Sequence, residues 1–189
     1  MHDLFGRLST VKRIPVLLLV VAALTAGLGG TYLITKKSAT LYCSPPNHMN
    51  CRNFNFYGAN LRRANLAGVD LTGANMMYAD LTGADLTGAW VRYANLSYTK
   101  LNYANLTDAS LDNTDFGRAE MIGANLTRAN LFGSDLSGAD LRYANLTDAD
   151  FTYGKMNGAN LQYANTQNAW LPCCGDLKDA IMPDGTIHE

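Results

Sequence analysis

The chain has 189 residues, room for one domain and an appendage. Its 15 basic and 16 acidic residues leave a formal net charge of -1, without the cationic excess that binding to a phosphate backbone requires, so no nucleic-acid ligand is expected. Histidine occurs only at His2, His48 and His188, so the commonest acid–base group is scarce and the composition leans away from an enzyme.

Residues 1–13 read as a basic cytoplasmic leader. From Ile14 to Ile34 run 21 uncharged residues, opened by Pro15 and bounded by Lys12, Arg13, Lys36 and Lys37. That length matches the ~30 Å hydrocarbon core, and Pro15 suits a helix start, so 14–34 is expected to be a transmembrane helix or uncleaved signal anchor. The competing reading is a cleaved signal peptide ending at Ala26, which Leu24 fits poorly at the preceding recognition position. Arg7, Lys12 and Arg13 on one side nearly balance Lys36, Lys37 and Arg52 on the other, so charge alone does not orient the span. Ala22, Ala26 and Gly30 recur at four-residue spacing, which would let two such helices approach and form a homo-oligomer.

Residues 35–53 read as a linker and N-terminal cap. Cys43 and Cys51 enclose Pro45 and Pro46, and a disulfide between them would pin the chain at the start of the next region, in an oxidising compartment. A metal site from Cys43, His48 and Cys51 fits no usual zinc spacing, and none is assigned.

From Phe54 to Cys173 the sequence repeats every five residues without insertion. Taking the third position of each unit as its centre, 24 centres run from Phe56 to Leu171: 16 Leu, Phe56, Phe116 and Phe151, Met76, Met121 and Met156, with Val91 and Thr166 as exceptions. Two residues before the centre stands Ala in 18 units, replaced by Phe54, Val69, Thr99, Thr114, Ser134 and Gly154. A helix cannot use this period, because five residues advance the helical angle by ~140° and the apolar stripe would wander. In an extended chain the Ala and the centre, two apart, face the same way, and the odd step to the next Ala demands a corner. Gly, Tyr, Asn or Asp usually ends the unit, and Gly and Asn accept turn geometry readily. Each unit is thus a short strand and a corner, and the whole an all-β solenoid.

The A(N/D)LxG signature, as in Ala124-Asn125-Leu126 and Ala139-Asp140-Leu141, resembles the pentapeptide-repeat family across roughly two-thirds of the chain. The resemblance implies a right-handed quadrilateral β-helix with four units per coil, hence about six coils. Sorted at the implied four-unit period, Phe56, Met76, Leu96, Phe116, Leu136 and Met156 fall in one column, so bulky centres gather on one face, with Met121 and Phe151 as exceptions. A lumen filled by Leu and Ala leaves no cavity for a substrate, so no catalytic residue and no cofactor are expected and function should lie outside.

On the third face Asn65, Asp85, Asn105, Asn125, Asn145 and Asn165 stand beside Thr87, Thr107, Thr127 and Thr147 as a regular polar wall. The fourth face and its corners carry Trp90, Tyr93, Phe132, Tyr153 and Trp170, a candidate interaction face. Its bland alternative is that Trp90 and Trp170, four coils apart, only cover neighbouring corners. Tyr103, Tyr143 and Tyr163 recur on the second face, where tyrosine can simply pack along the rod. Sequons at Asn95, Asn105, Asn125 and Asn145 arise from the repeat itself.

Residues 174–189 read as a C-terminal cap. Met182-Pro183-Asp184-Gly185-Thr186 resembles tails of cyanobacterial members of the family, which implies a single-pass protein of the plasma or thylakoid membrane with a periplasmic or lumenal repeat domain. The expectation is a non-catalytic, membrane-anchored protein-binding or scaffold module, its protein partner unidentified. The alternative drawn from the resemblance is a DNA-mimicking protein that interacts with gyrase. From Phe54 to Pro172, however, 11 acidic and eight basic residues give only -3.

Overall fold

The computed structural model describes residues 32–36, 39–43, 50–172 and 176–189. Strands β1 (Tyr32–Lys36) and β2 (Ala39–Cys43) pair antiparallel, Tyr32 opposite Cys43 and Lys36 opposite Ala39. Tyr32, Leu33 and Ile34 therefore lie in a strand and not at the end of the expected membrane helix; β-branched and aromatic residues suit a pleated pair. Residues 14–31 of that span lie outside the described ones, among which no helix is long and apolar enough to cross a membrane.

From Asn50 onward, parallel bridges link each unit to the fourth unit after it: Asn55 to Asn75, Asn60 to Asp80, Asn65 to Asp85, Asp70 to Trp90, and so on to Asp150 and Trp170. Four units thus complete a coil, and four bridge columns mark four sides: a right-handed quadrilateral β-helix.

The backbone explains the consensus when all five N–H groups of a unit are followed. In the unit centred on Leu61, the Leu61 N–H donates to Asp80 O (2.7 Å) and the Arg63 N–H to Thr82 O (2.9 Å), both on the following coil. The Ala64 N–H closes the corner on Leu61 O (3.1 Å), and the Arg62 N–H donates to Asn60 Oδ1 (3.2 Å). One coil later, the Asp80 N–H returns to Ala59 O (2.9 Å). Asn or Asp before the centre is therefore the acceptor for the one N–H that no strand or turn satisfies. Glu120 is too long for this task, and the Ile122 N–H instead reaches Asn102 Oδ1 on the preceding coil (2.9 Å).

Every fifth residue from Asn53 to Asn168 is left-handed, with φ between 54° and 69°. Gly fills this corner without strain, while Tyr and Arg hold it at a cost of about 1 kcal/mol each. Between the corners, centres and alanines are stacked to near-complete burial from Leu71 to Leu161. The polar lumen residues are satisfied locally: Thr99 Oγ1 donates to Leu96 O (2.5 Å), Thr114 Oγ1 to Val91 O (2.8 Å) and Ser134 Oγ to Leu111 O (2.6 Å).

Within the segment expected as the C-terminal cap the coil resumes. The Met156 N–H donates to Asp176 O, Ala180 closes a corner on Leu177, and Ile181 bridges Asn160, so Asp176 to Met182 resume the coil with the frame shifted by one residue. After Pro183 the chain doubles back, and Ile187 pairs antiparallel with Ile181. The seventh coil thus covers the first two sides and leaves the other two without a further strand among the described residues.

Candidate interaction surfaces

The fourth side is built on the column Asp70, Trp90, Ser110, Asn130, Asp150 and Trp170. Trp90 and Trp170 project from it at 54% and 68% exposure, about 19 Å apart at the usual strand spacing. Beside Trp90, Arg92 Nε sits 2.8 Å from Asp112 Oδ1, and the hydrogen bond and charge of Asp112 raise the guanidinium pKa further above its usual range. The guanidinium also lies 6.0 Å from the ring centre of Tyr93. At the corner toward the first side, Phe132 and Tyr153 meet edge to face, their ring centres 5.2 Å apart. These two are among the five aromatic residues singled out from the sequence. Tyr93 stands three coils from Tyr153 in the same corner column, with Asn113 and Gly133 between.

A second aromatic line escaped the sequence reading. Tyr57 meets Tyr78 edge to face at 5.5 Å, Tyr78 stacks on Tyr98 at 5.1 Å, and Arg118 sits 5.8 Å from the Tyr98 ring. The signal was available, since Tyr78, Tyr98 and Arg118 each end a unit and follow one another at intervals of one full coil. On the next corner Tyr143 stacks on Tyr163 at 5.0 Å, packing along the rod.

The third side is a directed hydrogen-bond ladder. Asn165 Nδ2 donates to Thr147 Oγ1 (3.0 Å), which donates to Asn145 Oδ1 (2.6 Å). The same two steps repeat through Thr127 and Asn125, through Thr107 and Asn105, and through Thr87 to the carboxylate of Asp85. All dipoles point one way and end on the one anion of the column, the arrangement in which hydrogen bonds reinforce one another. At the corner beside it, Arg128 grips Asp108 through Nε (2.7 Å) and a second nitrogen (2.8 Å), which holds the Asp108 carboxyl below its usual range.

Cys51, at the start of the first coil, is buried and disulfide-bonded, and the side chain of Cys43 is outside the described ones. Among the described residues no His, Cys, Asp and Glu side chains cluster as a metal site. The outer surface therefore offers rigid aromatic and hydrogen-bonded relief, with five arginine–carboxylate pairs held in place among the described residues.

None of the curated proteins matches the chain. Among solved structures it is similar to the pentapeptide repeat protein Rfr23 of the cyanobacterium Cyanothece 51142: 26% identity, 66% of this chain and 90% of that one covered, TM-score 0.56. A pentapeptide repeat protein from the Arabidopsis thaliana thylakoid lumen is 27% identical over 50% of this chain and 66% of that one, with a TM-score of 0.49. HetL of Nostoc sp. strain PCC 7120, involved in heterocyst differentiation regulation, is 32% identical over 74% of this chain and 78% of that one, with a TM-score of 0.26. The family model for pentapeptide repeats matches in eight copies over residues 55–89, 92–128 and 129–165. With its five-residue units wound four to a coil, the chain belongs to the pentapeptide-repeat family.

Proposed function

We propose that the protein is a non-catalytic, membrane-anchored scaffold that binds a protein partner through the outer sides of its rod. The observation that carries this reading is the contrast between a lumen packed to near-complete burial and a fourth side from which Trp90, Tyr93, Phe132, Tyr153 and Trp170 project at 41% to 75% exposure. Large amphipathic rings on a stiff support are efficient contact residues, because little entropy is lost when they are covered. The uncharged residues 14–31 serve as the anchor, with Ala22, Ala26 and Gly30 as the face on which two anchors pair. A disulfide between Cys43 and Cys51 goes with a periplasmic or lumenal rod, and the support for it is that Cys51 is a half-cystine.

The test is capture from membranes of the source cells by the full chain and by two variants. Replacing Trp90, Tyr153 and Trp170 by Ala is expected to lose a protein that the wild type retains, while replacing Thr107 and Thr127 by Ala on the third side keeps it. Equal capture by all three overturns the assignment of the fourth side. Inhibition of gyrase supercoiling by the rod would favour the DNA-mimic reading instead.

A further inference from the structure

We propose that the first coil of the rod docks on the anionic headgroups of the membrane and stands the rod upright on them. The choice of lipid over another polyanion rests on the anchor proposed above. The near-neutral total of the chain hides a segregation of charge. Residues 1–69 hold eight of the 15 basic residues and only Asp3 of the 16 acidic ones, which leaves seven basic and 15 acidic residues in 70–189. The boundary falls between the first two coils. The first, residues 50–69, carries Arg52, Arg62 and Arg63 and no carboxylate, while the second, residues 70–89, carries Asp70, Asp80 and Asp85 and no cation. The first coil is also the end joined to the anchor, 18 residues after it.

The three arginines are placed to meet a charged plane. Arg52 follows the centre of the fourth side, Arg62 that of the second, and Arg63 turns the corner beside it, so opposite sides of one coil are basic and all three residues are exposed. Arg52 Nη1 lies 3.4 Å from Asp70 Oδ2 and Arg62 Nη1 3.1 Å from Asp80 Oδ2, and in these pairs the arginine side chains are 53% and 51% exposed against 11% and 27% for the carboxylates. The second coil thus holds each guanidinium from behind by one nitrogen. A guanidinium has five N–H donors, so it can take a phosphate oxygen without giving up the pair. Between the arginines stand the exposed amides of Asn53, Asn55, Asn60 and Asn65, and Tyr57, an aromatic ring with a polar tip, suits the headgroup layer.

The same charges select the orientation. An anionic leaflet attracts basic residues held near it and repels acidic ones. A rod lying on its side would press the carboxylates of later coils, such as Asp85, Asp115 or Asp140, against lipid phosphates. A rod standing on its first coil lifts them away by ~4.8 Å per coil, and beyond a Debye length of ~8 Å their repulsion is largely screened. Standing so, the fourth side with Trp90 and Trp170 stays open to a partner.

The test uses the full chain in nanodiscs of phosphatidylcholine, with and without roughly a third phosphatidylglycerol, and follows arginine modification by phenylglyoxal with peptide mass spectrometry. Arg52, Arg62 and Arg63 are expected to react about threefold slower in the anionic discs, and about 1 M salt, with its Debye length of ~3 Å, should remove the difference. Arg118, Arg128 and Arg142, on later coils, react alike in both discs. Arg63→Glu should weaken the protection of Arg52 and Arg62, and Arg118→Glu should leave it intact. Equal rates for the first coil in the two discs overturn the docking, while the anchor stands if the chain stays in zwitterionic discs through a salt wash. A chain that washes out of zwitterionic discs sinks the anchor, and protection in anionic discs then upholds the docking alone. Protection by soluble polyphosphate in zwitterionic discs would assign the coil to a soluble polyanion and overturn the lipid surface.

Discussion

The ring of Tyr103 stands over the α-carbon of Gly123, one coil further along the same corner, so closely that a methyl group there would lie 2.8 Å from two ring carbons. Asn113 covers Gly133 and Arg118 covers Gly138 in the same way. A left-handed residue with a side chain leans toward the next coil, and the glycine there supplies space as well as conformational freedom.

Gly123→Ala is therefore expected to cost more than Gly88→Ala. Both place a methyl on a left-handed residue, about 1 kcal/mol. Nothing lies within 4 Å of Gly88, whereas the Gly123 methyl meets the Tyr103 ring and adds roughly 1 to 2 kcal/mol of overpacking. Chemical denaturation of the two variants reads the difference, and adding Tyr103→Ala to Gly123→Ala should recover most of the excess.

Leu126, fully buried, should cost about 2 to 5 kcal/mol when cut to Ala. Thr114→Val keeps the shape and removes the hydroxyl bond to Val91 O, which still accepts the Ala94 N–H (3.2 Å), so the expected loss is about 1 kcal/mol. Thermal unfolding checks both; equal losses would mean that the lumen is not packed as described.

In the polar ladder, Asn125→Ala removes the acceptor of the Thr127 N–H and hydroxyl and the donor to Thr107, for an expected loss of about 1 to 2 kcal/mol. Asn125→Asp keeps the acceptor, as Asp85 does at the ladder's end, and should cost less. Urea titration of the pair decides whether the acceptor or the donor matters more.

Asp184 accepts from both the Thr186 hydroxyl (2.7 Å) and the Thr186 N–H (2.9 Å), and these bonds lower its pKa. A lowered folded-state pKa means that the contribution is fully present above the ordinary carboxyl pKa, about 3.9, and is lost as pH falls through the folded value. The doubling-back of the C-terminal chain should therefore loosen in acid before the coils do. Exchange of the Thr186 amide between pH 6 and pH 3 measures this, and Asp184→Asn should flatten the dependence.

The lumen was legible because Leu126 and Ala124 repeat a two-residue alternation that only an extended chain can bury on one side. The corners were legible as corners, but not which side chains would meet there. Tyr78 and Tyr98 touch because they stand one full coil apart; Tyr57 joins them from a different position in its unit, which no column reveals. Trp90 and Trp170 share a column and a side, yet four coils keep them apart. Asp176-Leu177-Lys178-Asp179 repeats the last four positions of a unit around the centre Leu177, and the single-residue shift before it hides it from a strict five-residue count.

The uninterrupted count of residues per side also works as a protractor. Removing four consecutive units would shorten the rod by one storey and leave every later side chain on its compass bearing. Removing a single unit would swing everything beyond the cut through a quarter circle, carrying Trp170 around to a neighbouring wall while Trp90 stayed where it was.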